Sequence, residues 1–199
     1  IAFIIPVSSI GGKRALQFLT EHQTFALKEE STLKDTRYEL LLVIANQGHT
    51  GSIMDAARAA GADFYPADVA DADALRNALE AACERFGDVD ILVNDAGISE
   101  FSPLAETSLE QFDRILAVNL RPVFVTAQWM AARRNTPEGR TRYGRIINIA
   151  STRWLQSEPG SEGYAASKGG IVSLTHALAL SFSDYNVTVN CISPGSVSY

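Results

Sequence analysis

Basic charge is scarce in this sequence: 17 lysines and arginines stand against 23 acids, a formal net charge of −6. A protein that tracks a phosphate backbone gathers positive charge on one face, so this balance argues against nucleic acid as a partner. The densest positive run, Arg133, Arg134, Arg140, Arg142 and Arg145, is broken by Asn, Thr, Pro and Gly and reads as a solvated loop. Cysteine is scarcer still. Cys83 and Cys191 lie far apart in apolar-periodic surroundings, which favours two reduced, buried thiols in a cytoplasmic protein over a structural disulfide. Long apolar runs are missing too, none approaching the roughly 18 residues that a membrane helix needs. The opening IAFIIPV is too short, and lacks the basic start, for a signal peptide, and reads as a buried strand. Because the chain opens on Ile1 rather than Met, a few residues are expected to precede it.

What is present fits one α/β domain over residues 1–199, since 46% of the residues are hydrophobic and 20% charged. Strand-like runs fall at Ile1 to Ile5, Glu39 to Ala45, Asp63 to Tyr65, Asp90 to Asn94, Arg145 to Ala150 and Thr188 to Ile192. Several are solidly apolar rather than alternating, as strands buried on both faces should be. Helical patterns lie between them, at Gly12 to Thr20, Ser52 to Ala60, Ala72 to Phe86, Leu109 to Arg133 and Tyr164 to Ser183. Asp71 and Asp73 are good first-turn residues for the third of these. Glu21 to Arg37 is charged and weakly periodic, and reads as a helix end with a long loop. The alternation of strand and helix predicts a doubly wound parallel sheet with helices on both faces, a three-layer α/β/α fold.

Within that order, Tyr164 and Lys168 stand four residues apart on a predicted helix, so they share a face. A free phenol has a pKa of about 10 and is a poor base at neutral pH, but a neighbouring ammonium stabilises the phenolate. The pair can therefore give or take a proton at a carbonyl oxygen. Such a pair also occurs on solvated helix faces, so the spacing alone decides little. Ser151 follows the apolar strand Arg145 to Ala150, at the carboxyl end where open parallel sheets bind ligands. Its hydroxyl could bond the same carbonyl, or simply cap a turn.

The stretch RIINIASTRWLQSEPGSEGYAASKGGIVSLTHALAL, then VTVNCISPGSV, resembles the classical short-chain dehydrogenase/reductase family, as do NDAG at 94–97 and AVNL at 117–120. Within the family it is similar to 3-oxoacyl-ACP-reductase-like and glucose-dehydrogenase-like members. The resemblance implies a Rossmann-like fold and hydride transfer between NAD or NADP and a small carbonyl or secondary-alcohol substrate. It implies Tyr164 as general acid/base, with Lys168 stabilising its phenolate and bonding the nicotinamide ribose. Ser151 would orient the substrate carbonyl. Asn119 would hold a water linking Lys168 to solvent, or brace a helix kink, or both. Asp68, with Val69, matches the adenine-contacting position; Asn94, Ala96 and Gly97 would line the adenosine side, and Pro194-Gly195 would turn beside the nicotinamide. Ile98, Ser99, Arg153, Trp154 and Gln156 would flank the substrate pocket. No metal and no membrane are implied, and a homodimer or homotetramer built on the two long helices is expected.

The first sixty residues depart from the family pattern. Where the phosphate loop should carry three glycines, the chain reads Ile5-Pro6-Val7-Ser8-Ser9-Ile10-Gly11-Gly12, with Pro6 and Ile10 in place of glycine. Proline removes a donor and a β-branched side chain crowds the pyrophosphate. Ser9, Gly11 and Gly12, at an expected helix start, could still attract an anion. Asn46-Gln47-Gly48 after the second strand carries neither the acid that selects NAD nor a base that selects NADP. The family pattern also continues beyond the Pro-Gly turn, so the C-terminal part of the usual fold, with its substrate lid, is expected to be missing from this chain. A catalytically impaired or cofactor-poor relative kept for binding is therefore the competing expectation. Restoring glycine at positions 6 and 10 together should tighten NADH binding, measured by fluorescence titration; unchanged affinity would show that these residues do not limit it.

Overall fold

The computed structural model describes residues 2–4, 39–44 and 63–195. Six parallel strands form one sheet: β1 (Ala2–Ile4), β2 (Glu39–Ile44), β3 (Asp63–Pro66), β4 (Ile91–Asn94), β5 (Gly144–Ile149) and β6 (Val187–Ile192). They lie in the order β3-β2-β1-β4-β5-β6. The chain thus winds from β1 to one edge, returns to the middle at β4 and winds to the other, the Rossmann-like α/β arrangement. Ligand crevices in such sheets open at the carboxyl ends of the strands on either side of that reversal. Each strand coincides with an expected apolar run to within one residue at either end. The helices expected at Gly12 to Thr20 and Ser52 to Ala60, and the Glu21 to Arg37 segment, lie outside the described residues.

The described helices are α1 (Ala72–Phe86), α2 (Leu109–Asn119), α3 (Arg121–Arg134), α4 (Pro137–Thr141) and α5 (Glu162–Ser181). The connections β3 to β4, β4 to β5 and β5 to β6 all run the same way across the sheet, so right-handed crossovers put α1, α2–α3 and α5 on one face. Beneath them Leu92, Asn94, Ile146, Asn148, Val187 and Val189 are buried, while Ile147, Ile149, Thr188 and Asn190 between them are half-buried or exposed. Burial therefore alternates along β4 to β6 beneath the described helices, and the helices expected at 12–20 and 52–60 lie outside the described residues. Among the described residues only one face is covered by helices.

Local signals explain the helix bounds. The Asp71 carboxylate accepts from the N–H groups of Asp73 and Ala74 at 2.9 and 3.1 Å and starts α1. Leu75, Ala78, Leu79 and Ala82 form its buried stripe, and Gly87, at φ 89°, ends it by donating to the Cys83 carbonyl at 2.8 Å. Leu109 to Arg133, expected as a single helix, breaks at Leu120. Pro122 follows, and its ring excludes a continuous i to i−4 ladder while suiting the first turn of a new helix. Residues 109–134 together are long and apolar enough on average to cross a membrane, although charged residues interrupt every apolar run within them. Half of an 18-residue window within that stretch is buried in the protein, as in a core helix. Helix α5 starts and stops two residues before its expected bounds. The expected thiols are both free, but half-buried rather than buried.

The basic run also needs correction. It contains α4, started by Thr136, whose hydroxyl accepts from Gly139 N–H at 2.9 Å. Arg134 is only 1% exposed. It forms an ion pair with Asp88 and donates to the carbonyls of Val89 and Tyr143 at 2.8 and 3.3 Å, leaving its Nε as a buried donor without a partner. Arg133 bonds Asp88 and Glu80, both at 3.1 Å, and Arg142 lies 3.3 Å from Asp88. Arg140 and Arg145 cover the rings of Tyr185 and Tyr143 at 4.7 and 4.0 Å. Spacing could not show this, because the acids that hold these arginines lie on the distant α1–β4 connection and on α1.

Asp88 is the hub. Burial pushes its carboxyl up, but Arg134, the Val89 N–H and Arg133 outweigh that and hold it below the usual carboxylate range. A depressed folded-state value makes its contribution fully present above pH about 4 and progressively lost as pH falls below it. Asp88→Asn should therefore destabilise the chain at pH 7 and flatten the fall of stability below pH 4, read from denaturant midpoints. An unchanged acid slope would show that Asp88 does not set it.

Candidate active site

The site is assembled at the carboxyl ends of β4 and β5. These two strands are tied together below it by side chains as well as backbone. Asn94 Nδ2 donates to Asn148 Oδ1 at 2.8 Å, opposite it in the register. Thr126 of α3 donates to Asn94 Oδ1 at 2.9 Å, and Asn148 Nδ2 donates to Thr175 of α5 at 2.9 Å. All four are buried, so this polar chain joins two helices through two strands with its groups satisfied. Asn94 was expected at the adenosine side; its side chain is engaged in this chain instead, and Asn148 was not anticipated at all.

Above the chain, the loop after β4 is held by Asn119 at the end of α2. Its Oδ1 accepts from Ile98 N–H at 2.8 Å, and its Nδ2 donates to the Ile98 carbonyl at 3.0 Å and to Ser167 Oγ at 3.0 Å. Both amide hydrogens are therefore in use on protein partners. This is the bracing role, located at the α2–α3 break. The close approach shapes Gly97: a Cβ there would lie 3.4 Å from Asn119 Oδ1 and 3.7 Å from Lys168 Nζ.

Tyr164, Ser167 and Lys168 come from the first turns of α5. Ser167 donates to the Tyr164 carbonyl at 2.7 Å and so links Asn119 to the helix that carries Tyr164. Lys168 is 4% exposed; its Nζ donates to the Ile149 carbonyl at 2.8 Å and lies 5.5 Å from the centre of the Tyr164 ring. Burial lowers the Lys168 ammonium to about 8, with Asp95 acting the other way, and burial raises the Asp95 carboxyl to about 6, opposed by Lys168. Ser151 follows β5, and its Oγ accepts from the Arg153 N–H at 3.2 Å. That is the turn-capping role, and the hydroxyl can make it while keeping its own hydrogen to donate. The structure thus brings Asn119, Ser151, Tyr164 and Lys168 to one end of the sheet.

The remaining expected residues sit around this group. Thr152 N–H donates to the Pro194 carbonyl at 3.0 Å, which latches the Pro194-Gly195 turn beside Ser151. Asp68 accepts from Ala70 N–H at 2.9 Å, and Arg121 of α3 donates to the Ala70 carbonyl at 2.9 Å, fixing the loop that carries Asp68 and the buried Val69. Ala96 is buried. Ser9, Gly11 and Gly12 lie outside the described residues. On the substrate side, Arg153 is paired with Glu158 at 2.6 Å, and Trp154 is exposed. Phe101, not anticipated, tilts over Tyr164 with ring centres 6.1 Å apart. Asp95 was also missed, although it stands inside the NDAG stretch; its only sequence signal is an acid directly after an apolar strand.

Comparison with known proteins agrees with this geometry. The short chain dehydrogenase family profile matches residues 32–198. The chain belongs to the short-chain dehydrogenase family. It is 43% identical over 132 residues to an uncharacterized oxidoreductase of Thermotoga maritima, covering 66% of this chain and 50% of that protein. To the D-beta-hydroxybutyrate dehydrogenase of Rhizobium meliloti it is 39% identical over 133 residues, 67% of this chain and 50% of the relative. The chain spans about half the length of such relatives. Among solved structures, a short chain dehydrogenase from Mycobacterium avium superposes with a TM-score of 0.77 at 32% identity, covering 98% of this chain and 68% of that one.

The loop after β4 is docked on the loop before α5 by Ser102 N–H, which donates to the Gly160 carbonyl at 3.3 Å. Gly160 has φ 77°, and a Cβ on it would come 2.9 Å from the Ser102 carbonyl oxygen. Gly160→Ala should cost roughly 1–3 kcal/mol through strain and lost docking. Gly169→Ala, on an open face of α5, should instead stabilise by about 0.5–1 kcal/mol. Equal effects of the two in denaturant titrations would contradict this reading of the loop contact.

Proposed function

We propose that the chain forms a single NAD(P)-binding domain over residues 1–199, in which a hydride passes between the nicotinamide and a small carbonyl or secondary-alcohol substrate. The observation that carries this reading is the convergence of Tyr164, Lys168, Ser151 and Asn119 on one end of the sheet. The nicotinamide, when bound, supplies or accepts the hydride. In reduction Tyr164 gives its phenolic proton to the carbonyl oxygen, and in oxidation it takes the alcohol proton. Lys168 has three N–H donors and uses one on Ile149, so two stay available for a ribose hydroxyl and for the phenolate side. Ser151 donates to the substrate oxygen. Asn119 braces the loop; any relay water must use its remaining Oδ1 lone pair or its backbone, because both amide hydrogens are engaged.

The residues described around the crevice suit a dinucleotide. Asp68 keeps one carboxylate oxygen beyond the one that accepts from Ala70. Val69, Ala96 and Gly97 offer an apolar or small lining, with the Asn94 backbone beside them, and Pro194-Gly195 closes the nicotinamide end. Ser9, Gly11 and Gly12 are proposed for the pyrophosphate on sequence grounds, and the choice between NAD and NADP stays open. The competing reading, a cofactor-poor relative, is favoured by Pro6 and Ile10 in the phosphate loop and by the departures from the family pattern that accompany them. A cytoplasmic location is supported by the two free thiols. A homodimer or homotetramer is supported by apolar side chains left exposed on the long helices, Leu109, Phe124 and Leu180.

Titration with NADH and NADPH should give saturable binding of at least one, followed by oxidation of the bound dinucleotide when a carbonyl substrate is added. Tyr164→Phe should remove nearly all of that turnover while leaving cofactor affinity close to wild type. Binding of neither dinucleotide would sink the enzyme reading in favour of the cofactor-poor relative, and an active Tyr164→Phe variant would remove Tyr164 from its role.

A further inference from the structure

The register of β4 and β5 has a consequence for the lysine. Asn94 pairs with Asn148 as the last rung of the two strands. One step beyond it on each chain stand Asp95 and Ile149, and the Ile149 carbonyl is the anchor of Lys168 Nζ at 2.8 Å. Two residues further, the Gly97 Cβ position is 3.7 Å from the same nitrogen. The loop 95–97 therefore passes beside the ammonium and is tied at both ends. Its near end is pinned by the Asn94 side chain on Asn148 and Thr126, its far end by the two hydrogen bonds of Asn119 to Ile98.

We propose that Asp95 is a positioning residue of the active site, its carboxylate serving as the fixed counter-charge that keeps Lys168 cationic beside Tyr164. The inference rests on the function proposed above for Tyr164 and Lys168, but the electrostatic claim can be read without turnover. Other ions on the elements that pack against α5 are engaged elsewhere or exposed. Arg114 of α2 lies 3.4 Å from Glu100, and Glu110 and Asp113 on that helix are exposed. Arg121 of α3 donates to the Ala70 carbonyl, Arg153 of the turn after β5 pairs with Glu158, and Arg145 of β5 covers Tyr143. On β6 the half-buried Cys191 is the titratable group, and on α5 itself Glu162 and His176 are exposed. Tyr164 and Asp95 are then the titratable groups that face Lys168 among the described residues. Burial acts against both charges, which leaves Lys168 near 8 and Asp95 near 6; between these values the pair is doubly charged. The ammonium that Tyr164 needs is thereby available across neutral pH.

The test uses the chain without cofactor, labelled with carbon-13 at lysine Cε and at the aspartate carboxyl, and titrated by NMR. In the wild type the Lys168 resonance should show a main step and a smaller one that coincides with the titration of Asp95. Asp95→Asn should move the main midpoint down by about one pH unit, as the loss of an opposite charge in a dry site requires. Asp95→Glu should recover most of that shift. If Asp95→Asn does not fold, the coincident step in the wild type still decides the matter. A Lys168 midpoint unmoved by Asp95→Asn, or a wild-type lysine resonance with no step where Asp95 titrates, overturns the proposal. Failure of NADH to bind would leave this result standing, and an unresponsive Lys168 would leave cofactor binding untouched, so the two readings fail separately.

Discussion

The side-chain rung between Asn94 and Asn148 is the constraint on which the rest of the site depends. Parallel strands are held in register by backbone hydrogen bonds that repeat every two residues, so a slip changes little in the ladder itself. A pair of buried amides facing each other does not tolerate such a slip. Moving either strand would orphan up to four polar groups in a dry layer, each costing about 1–3 kcal/mol. Because Thr126 and Thr175 complete the chain, the rung also sets where α3 and α5 lie over the sheet. The height of Ile149 relative to the loop after β4 follows from this register, and with it the location of the lysine ammonium.

A second clamp acts on the opposite end of that loop. Asn119 reaches it from the last turn of α2. Had Leu109 to Arg134 run on as one helix, the amide would still lie on its face, but the chain would not turn there to let α3 lean on β4. Pro122 thus breaks the helix and lets α3 turn toward β4, where Thr126 meets Asn94. The short link Asn119–Ser167–Tyr164 then carries the position of α2 to the helix that bears Tyr164 and Lys168. One loop and two helices are referred to one another through amide and hydroxyl groups, not through ion pairs.

Much of this was legible in the chain. The strands followed from apolar runs, and α1 matched its expected bounds because Asp71 and Gly87 mark them chemically. The Tyr164–Lys168 spacing needed only helical geometry. Less legible was anything that depends on what faces a residue from a distant segment. Arg134 looks solvated among its neighbours and is buried because Asp88, on another connection, meets it. Asn148 looks like a polar interruption in an apolar strand until Asn94 is placed opposite. The break at Leu120 was visible in Pro122, yet the apolar periodicity runs through it and outweighed the signal. Asp95 offered no pattern, since a charge after a strand usually points to water.

Asp95 and Lys168 also show why the polar framework must be rigid. Lys168 is buried where its charge is costly, and a buried ammonium sheds its proton unless something opposes the cost. The Ile149 carbonyl alone offers one partial charge. A carboxylate placed too close would form a tight ion pair and neutralise the field that a phenolate needs; one too far would be screened. Among the ion pairs of the described residues, Lys168 and Asp95 do not lie within salt-bridge distance, though each acts on the other. Holding two opposite charges near each other without letting them join requires both backbones to be fixed. The asparagine rung below and the Asn119 clamp above do that, so on the proposal made for Asp95 the satisfied polar groups of this core hold the two charges apart.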